Sequence, residues 1–90
     1  MPTVERPVRI QNKHGLHARP AAEMVKAASR FQSDVTITRE DMEVNGKSIM
    51  GVMMLAAECG AVVTLRASGP DAEQAVSAIE ALVNNKFGES

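Results

Sequence analysis

Alternating apolar and polar positions predict four β-strands along the chain. In the first segment Val4, Val8 and Ile10 share one parity. Glu5 and Arg9 take the other, which is typical of a half-buried strand. Pro7 interrupts this strand and cannot donate a backbone hydrogen bond, so we expect the strand at a sheet edge. Further alternating segments predict strands at 35–38, 42–44 and 61–68, and the first two should form a hairpin across a polar turn.

Apolar residues at helical spacing predict three helices between these strands. The first helix runs to about Arg30, and Pro20 suits its first turn. The second starts after the N-cap Ser48 and extends to about Glu58, with Gly60 as its stop. The residues expected to face the core from the second helix are Val52, Leu55, Ala56 and Cys59. The corresponding stripes of the other two helices are Ala21, Met24, Val25 and Ala28, and Ala75, Val76, Ile79, Leu82 and Val83.

The element order is therefore βαββαβα, which predicts an α+β fold. Short hairpins and helical crossovers of these lengths suit one four-stranded antiparallel sheet with all three helices on one face. The chain has 90 residues and 44% hydrophobic content, so we expect residues 1–90 to form a single domain.

Composition and charge argue against several classes of partner. The 10 Lys and Arg residues against 11 Asp and Glu leave no basic field for nucleic acid or an anionic membrane. Phe31 and Phe87 are the only Phe, Tyr or Trp residues available for base stacking. A single cysteine and an N-terminus without a signal-peptide layout predict a cytoplasmic protein. We expect no metal and no cofactor, because the sequence lacks a ligand cluster and a nucleotide-type glycine loop.

One histidine lies at the junction of a glycine-containing loop and the first helix. At this helix start, the free backbone amides of Ala18 and Arg19, the helix dipole and the Arg19 guanidinium all favour a dianion. A neutral imidazole is a good nucleophile, and its phosphoramidate bond passes the phosphoryl group on readily. We therefore expect His17 to accept a phosphoryl group and Arg19 to stabilise it, with both ring nitrogens as candidates. His14 is expected to be a solvated loop residue.

The second helix is apolar over more of its circumference than core packing requires. Ile49, Met50 and Met53 fall outside its core-facing stripe and predict an exposed docking patch, the alternative being that the methionines fill the core. Ser48 caps this helix, and a phosphate on its hydroxyl would place about two negative charges beside the patch. Ser48 is therefore a candidate site of regulatory phosphorylation.

These two regions resemble the histidine-containing phosphocarrier family, HPr, of the bacterial phosphotransferase system. Residues 15–21, Gly-Leu-His-Ala-Arg-Pro-Ala, are similar to the family's active-site motif. Residues 45–53, Asn-Gly-Lys-Ser-Ile-Met-Gly-Val-Met, are similar to its regulatory-serine helix. The resemblance spans nearly the whole chain, and the element order matches the family's open-faced β-sandwich, whose sheet order is 1-4-2-3.

The resemblance implies a carrier and not an enzyme that turns over a substrate alone. Enzyme I, charged by phosphoenolpyruvate, would phosphorylate His17, and the EIIA domains of sugar permeases would receive the phosphoryl group. Ser48 matches the serine that HPr kinase/phosphorylase modifies. The docking residues implied by the family are Ile49, Met50 and Met53, together with Ala22. We expect a monomer, because two partners must reach one shared face.

Three other functions stay open on the sequence alone. Residues 81–87 and the Met54-Leu55 pair look like the nitrogen-branch homologue NPr, whereas residues 47–51 look more like HPr, so either branch could supply the acceptor. An acyl-phosphate hydrolase also uses a loop arginine on a compact α/β sheet, but it does not explain the need for His17. A regulatory module that acts only through phosphorylated Ser48 is the third, although family members of that kind lack the active-site histidine.

Overall fold

The computed structural model describes residues 2–89, and the predicted order βαββαβα is confirmed. The elements are β1 (Thr3–Arg9), α1 (Ala18–Ser29), β2 (Asp34–Arg39), β3 (Met42–Asn45), α2 (Ile49–Met54), β4 (Val62–Ser68), α3 (Ala72–Asn84) and a final 3-10 turn (Lys86–Gly88). Every helix within these residues is too short or too polar to cross a lipid bilayer.

The four strands form one antiparallel sheet in the order β1-β4-β2-β3, as predicted. In this register Val8 of β1 lies opposite Val63 of β4, and Ile37 of β2 lies opposite Leu65 of β4. The strand β1 is at an edge, so the prediction from Pro7 is confirmed. An edge position tolerates the missing amide because β1 has a strand partner on only one side.

One face of the sheet and the inner faces of the helices form the hydrophobic core. Alternate residues of β4 point inward, and Val63, Leu65 and Ala67 are fully buried. Met24 of α1 and Ile79 of α3 are also fully buried, and α1 packs against both α2 and α3. The helical layer therefore holds α1, whose first residues follow His17, in a fixed place above the sheet.

The second helix is shorter than predicted. It ends at Met54 and not at Glu58, because Ala56 adopts a left-handed backbone conformation with a φ of 49°. The guanidinium of Arg39 compensates by donating hydrogen bonds to the carbonyl oxygens of Leu55 and Ala56, both at 3.0 Å. These hydrogen bonds to the two carbonyls that follow α2 have no local sequence signal, since Arg39 belongs to β2.

The early end of α2 changes which residues reach the core. Val52 and Leu55 are buried as expected, but Ala56 and Cys59 are exposed, and Ala57 is buried instead. Gly60, predicted as the helix stop, forms the turn into β4, where its amide donates to the carbonyl oxygen of Ile10 at 2.7 Å.

The loop before α1 is attached to the segment between α2 and β4. Leu16 is buried, and its amide donates to the carbonyl oxygen of Ala57 at 2.8 Å. Gly15 has a φ of 68°, and a Cβ added to it would press against the Ala57 carbonyl oxygen and lie 2.8 Å from Cα of Glu58. The loop can approach this closely only because residue 15 has no side chain.

We predict that Gly15→Ala destabilises the protein by roughly 2 to 4 kcal/mol, which combines left-handed strain with a clash against backbone. Gly60→Ala is the matched control, because Gly60 also has a positive φ of 94° but has open space around its Cα. The control should lose only about 1 to 2 kcal/mol. Urea unfolding of the three proteins measures the difference, and equal losses would contradict the proposed close approach.

Candidate functional site

His17 is the residue immediately before the first turn of α1. Its backbone is extended, with φ of −76° and ψ of −174°, and its carbonyl oxygen accepts the first hydrogen bond of the helix from the Ala21 amide at 2.9 Å. The imidazole makes no capping hydrogen bond, and 42% of the side chain is exposed. The ring is therefore open to solvent at the N-terminal end of a 12-residue helix.

The start of α1 has the features of an anion-binding site. The amides of Ala18 and Arg19 belong to the first turn, where no acceptor exists within the helix. Pro20 lies in the same turn without loss of helix stability, because this position needs no backbone N–H donor. Since the helix dipole adds partial positive charge at this end, a dianion on His17 would be stabilised there.

A carboxylate joins the two predicted site residues. Oε2 of Glu89 lies 3.1 Å from Nε2 of His17 and accepts a hydrogen bond from Nη1 of Arg19 at 3.2 Å. Only 15% of the Glu89 side chain is exposed, whereas 63% of the Arg19 side chain is exposed. The structure thus brings His17 and Arg19 together, with Glu89 between them.

Glu89 is held from its other side by Asn12. Nδ2 of Asn12 donates to Oε1 of Glu89 at 3.0 Å and to the carbonyl oxygen of Gly15 at 2.7 Å. Asn12 is fully buried, although it is a polar residue of the loop between β1 and α1. Its Oδ1 has no hydrogen-bond partner among the residues that the structure describes. Asn12 therefore connects the loop before His17 to the carboxylate beside His17.

These contacts lower the pKa of Glu89. The largest cause is the hydrogen bond from Asn12, and the hydrogen bond and charge of His17 and the charge of Arg19 act in the same direction, while burial opposes them. Because the pKa is lower in the folded state, this carboxylate contributes stability above its unfolded pKa. That contribution is lost as the pH falls through the lowered pKa of the folded state.

Sequence reasoning gave no role to Asn12 or Glu89. Glu89 is 72 positions from His17, and it reaches the site because Lys86, Phe87 and Gly88 all have positive φ angles and turn the chain after α3. Phe87 is buried and fixes this turn to the core. Phe87 is an apolar residue beyond the core-facing stripe of the last helix. It was the one signal in the sequence that this segment folds back onto the core.

His14 is exposed, as predicted, but it also contacts the site. Its ring meets the His17 ring edge to face, with the ring centroids 6.0 Å apart and an interplanar angle of 83°. No group of three His, Cys, Asp or Glu residues suited to a metal ion occurs within residues 2–89. A surface cavity of about 530 Å³ between α1 and α3 is lined by other residues, among them Lys26, Arg30 and Leu82.

The side chains of α2 that the sequence predicted to be exposed are exposed in the structure. Ser48 caps the helix, since its Oγ accepts a hydrogen bond from the Gly51 amide at 3.1 Å. The exposed fractions are 44% for Ile49, 73% for Met50 and 39% for Met53, so these side chains do not fill the core. Ala22 is partly exposed on α1, which packs against α2. We call Ile49, Met50 and Met53 the α2 patch.

Comparison with known proteins gives a consistent result. Residues 4–85 match the family model described as PTS HPr component phosphorylation site. The chain is 54% identical over 86 residues to a phosphocarrier protein HPr of Treponema pallidum, which covers 96% of this chain and 98% of that protein. It is 41% identical to a phosphocarrier protein NPr of Shewanella violacea, over 100% of this chain and 99% of that protein.

The fold is also found in a solved structure. The crystal structure of an HPr from Thermoanaerobacter tengcongensis superposes with a TM-score of 0.93 at 47% identity, over 97% of this chain and 98% of that one. The backbone arrangement described above is therefore that of a known phosphocarrier protein.

We predict that Asn12→Ala raises the pKa of Glu89 towards its ordinary value, because the hydrogen bond that contributes most to the lowering is removed. A titration of the Glu89 carboxyl carbon by NMR measures this change. Asn45→Ala is the control, since Asn45 lies in β3 and its side-chain oxygen accepts a hydrogen bond from the nearby Lys47 amide, away from Glu89. An unchanged Glu89 midpoint in Asn12→Ala would show that this hydrogen bond is absent in solution.

Proposed function

The chain belongs to the HPr family of phosphocarrier proteins, and we propose that its carrier residue is His17. The observation that supports this assignment is the solvent-exposed imidazole immediately before α1, next to the guanidinium of Arg19. A group bound to this ring would meet the amides of Ala18 and Arg19 and the positive end of the helix dipole.

The proposed reaction uses the ring nitrogen that does not face Glu89. Because Glu89 lies against Nε2 of His17, Nδ1 is the nitrogen that attacks phosphorus. A bond forms between Nδ1 and phosphorus, and the bond to the donor breaks with its electron pair returning to the donor. The Arg19 guanidinium and the two amides then stabilise the charge of the transferred group.

The proposed partners follow from the family. Enzyme I, charged by phosphoenolpyruvate, is the donor, and the EIIA domains of sugar permeases are the acceptors. The higher identity to a protein named HPr, 54% against 41% for one named NPr, favours the sugar branch over the nitrogen branch. We propose a cytoplasmic monomer, since donor and acceptor must use the same exposed ring in turn.

The α2 patch is proposed as the surface that both partners contact. Three apolar side chains beside a capped helix start offer area for docking, and flexible methionines adapt to more than one partner. Ala22 extends this surface onto α1. Ser48 is proposed as a regulatory site for a kinase of the HPr kinase/phosphorylase type, because a phosphate there would add negative charge at the edge of the patch.

With enzyme I and phosphoenolpyruvate, the protein should gain one acid-labile, base-stable phosphoryl group, and His17→Ala should gain none. His14→Ala is the matched control, because it removes the neighbouring ring and leaves His17 in place. Intact-mass measurement with and without acid treatment distinguishes the variants. Labelling of His17→Ala would refute the assignment, and sustained release of phosphate from acetyl phosphate would favour a hydrolase.

Negative charge on the face of α2 should slow transfer from enzyme I. We predict that Met50→Glu and Ser48→Asp each lower kcat/KM by roughly tenfold. Met50→Glu removes an apolar contact with the partner, and Ser48→Asp adds a negative charge that acidic groups of the partner repel. Aspartate is itself a good N-cap, so Ser48→Asp should keep the helix. Met42→Glu is the control, since Met42 is 43% exposed but lies on β3. Equal rates for all four proteins would exclude α2 as the docking surface.

A further inference from the structure

We propose that three methionines of α2 are sites of reversible oxidation, through which hydrogen peroxide weakens the docking of the partner proteins. The three residues are Met50, Met53 and Met54, and we call them the α2 methionines. The proposal deepens the proposed function and rests on it, because Met50 and Met53 also belong to the α2 patch.

The α2 methionines form one continuous surface in solvent. Met53 and Met54 lie three and four positions after Met50, and residues at this spacing are neighbours on the surface of a helix. Met54 is 63% exposed, so it extends the exposed side of α2 beyond the α2 patch. The buried residue of this helix is Val52, which belongs to the core. Hydrogen peroxide in solvent can therefore reach all three side chains.

The other methionines within residues 2–89 show how far oxidation would extend. Met24 is fully buried in the core, where peroxide has no access while the protein is folded. Met42 on β3 is exposed, and it lines the same surface cavity of about 430 Å³ as Met54. We therefore expect oxidation of Met42 and the α2 methionines without oxidation of Met24, so that the core and the fold are retained.

The sulfur atom is what distinguishes these side chains from leucine in this position. Leucine has a similar volume and would offer a similar apolar area for docking. A thioether can also be oxidised to a sulfoxide, which is polar, and methionine sulfoxide reductases reverse the change. A surface built from three neighbouring methionines is thus both a docking surface and a target for peroxide.

The oxidation step needs only hydrogen peroxide as co-reactant. A lone pair of the sulfur attacks one peroxide oxygen, a bond forms between sulfur and oxygen, and the O–O bond breaks. The second oxygen takes the bonding electron pair and the protons and leaves as water. Sulfur is oxidised by two electrons and peroxide is reduced. In the reverse step, thiols of a methionine sulfoxide reductase supply two electrons, and the oxygen leaves as water.

Sulfoxides on α2 should weaken docking without changing the chemistry at His17. A sulfoxide oxygen carries a hydrogen-bond acceptor into an apolar interface, where it loses its water without gaining a partner. The groups described around His17 are Asn12, Arg19, Glu89 and the first amides of α1, and none contains sulfur. We therefore expect a higher KM for enzyme I and little change in kcat.

Cys59 is a second kind of oxidisable group, and it has to be removed from the test. Its thiol is free and exposed, so peroxide would also modify it. Its Sγ donates to the carbonyl oxygen of Gln11 at 3.6 Å, and a serine hydroxyl keeps a donor at this position. Cys59→Ser is therefore the parent protein for every measurement.

The test compares the parent protein before and after hydrogen peroxide, which is removed before enzyme I and phosphoenolpyruvate are added. Peptide mapping by mass spectrometry should place the added oxygen on the α2 methionines and Met42, with Met24 unmodified. Oxidation should raise KM for phosphoryl uptake roughly tenfold with little change in kcat. Methionine sulfoxide reductases for both sulfoxide epimers should restore the original KM.

Two leucine variants of the parent protein assign the effect to α2, and each is compared with itself before and after peroxide. The triple variant Met50→Leu, Met53→Leu, Met54→Leu cannot form sulfoxides on α2, and its KM should not respond to peroxide. Leucine is also a good helix former, so α2 should be kept. Met42→Leu is the matched control, and its KM should rise as much as that of the parent protein.

Three results would overturn the proposal alone while phosphoryl uptake before oxidation is normal. They are a KM that sulfoxides on α2 leave unchanged, an equal response of the triple variant and the parent protein, and an effect that the reductases do not reverse. If the unoxidised protein takes up no phosphoryl group, the proposed function fails, and the regulation proposed here fails with it.

Discussion

The attachment of the loop before α1 to the segment between α2 and β4 is the constraint on which the site depends. The Leu16 side chain is buried, its amide bonds the Ala57 carbonyl oxygen, and Gly15 makes a backbone approach that no Cβ permits. This attachment places His17 immediately before α1 with its ring in solvent. Helix α1 is in turn fixed above the sheet by buried residues such as Met24. Core packing therefore sets the backbone position of His17, and the contact with Glu89 adds to it at the ring.

Polar groups around the imidazole determine the charge and the hydrogen bonds at that position. The free amides of Ala18 and Arg19 supply a place for negative charge, and the exposed guanidinium of Arg19 adds a positive charge. Glu89, which accepts a hydrogen bond from Asn12, contacts Nε2 of the His17 ring. An exposed ring with a few fixed partners suits a carrier, because a deep and closed site would bar one of two proteins that must reach the same atom.

Much of this arrangement could be predicted from the sequence, and what could not is explained by contacts between distant residues. Alternation and the proline at position 7 gave the strands and the edge position of β1, and Ser48 gave the start of α2. The predicted end of α2 was wrong because Ala56 turns the chain in a left-handed conformation, and Arg39 from β2 binds the carbonyl oxygens that follow the helix. The roles of Asn12 and Glu89 were missed because side-chain contacts across 77 positions leave no periodic pattern.

The most direct test of the account is an NMR comparison of the unphosphorylated and phosphorylated protein that follows the backbone amides at the start of α1. If the phosphoryl group on His17 is held by the helix N-terminus, the amide protons of Ala18 and Arg19 should move downfield and become protected from exchange with solvent. Phosphorylated protein in which these two amides keep their original shifts and exchange rates would contradict the account.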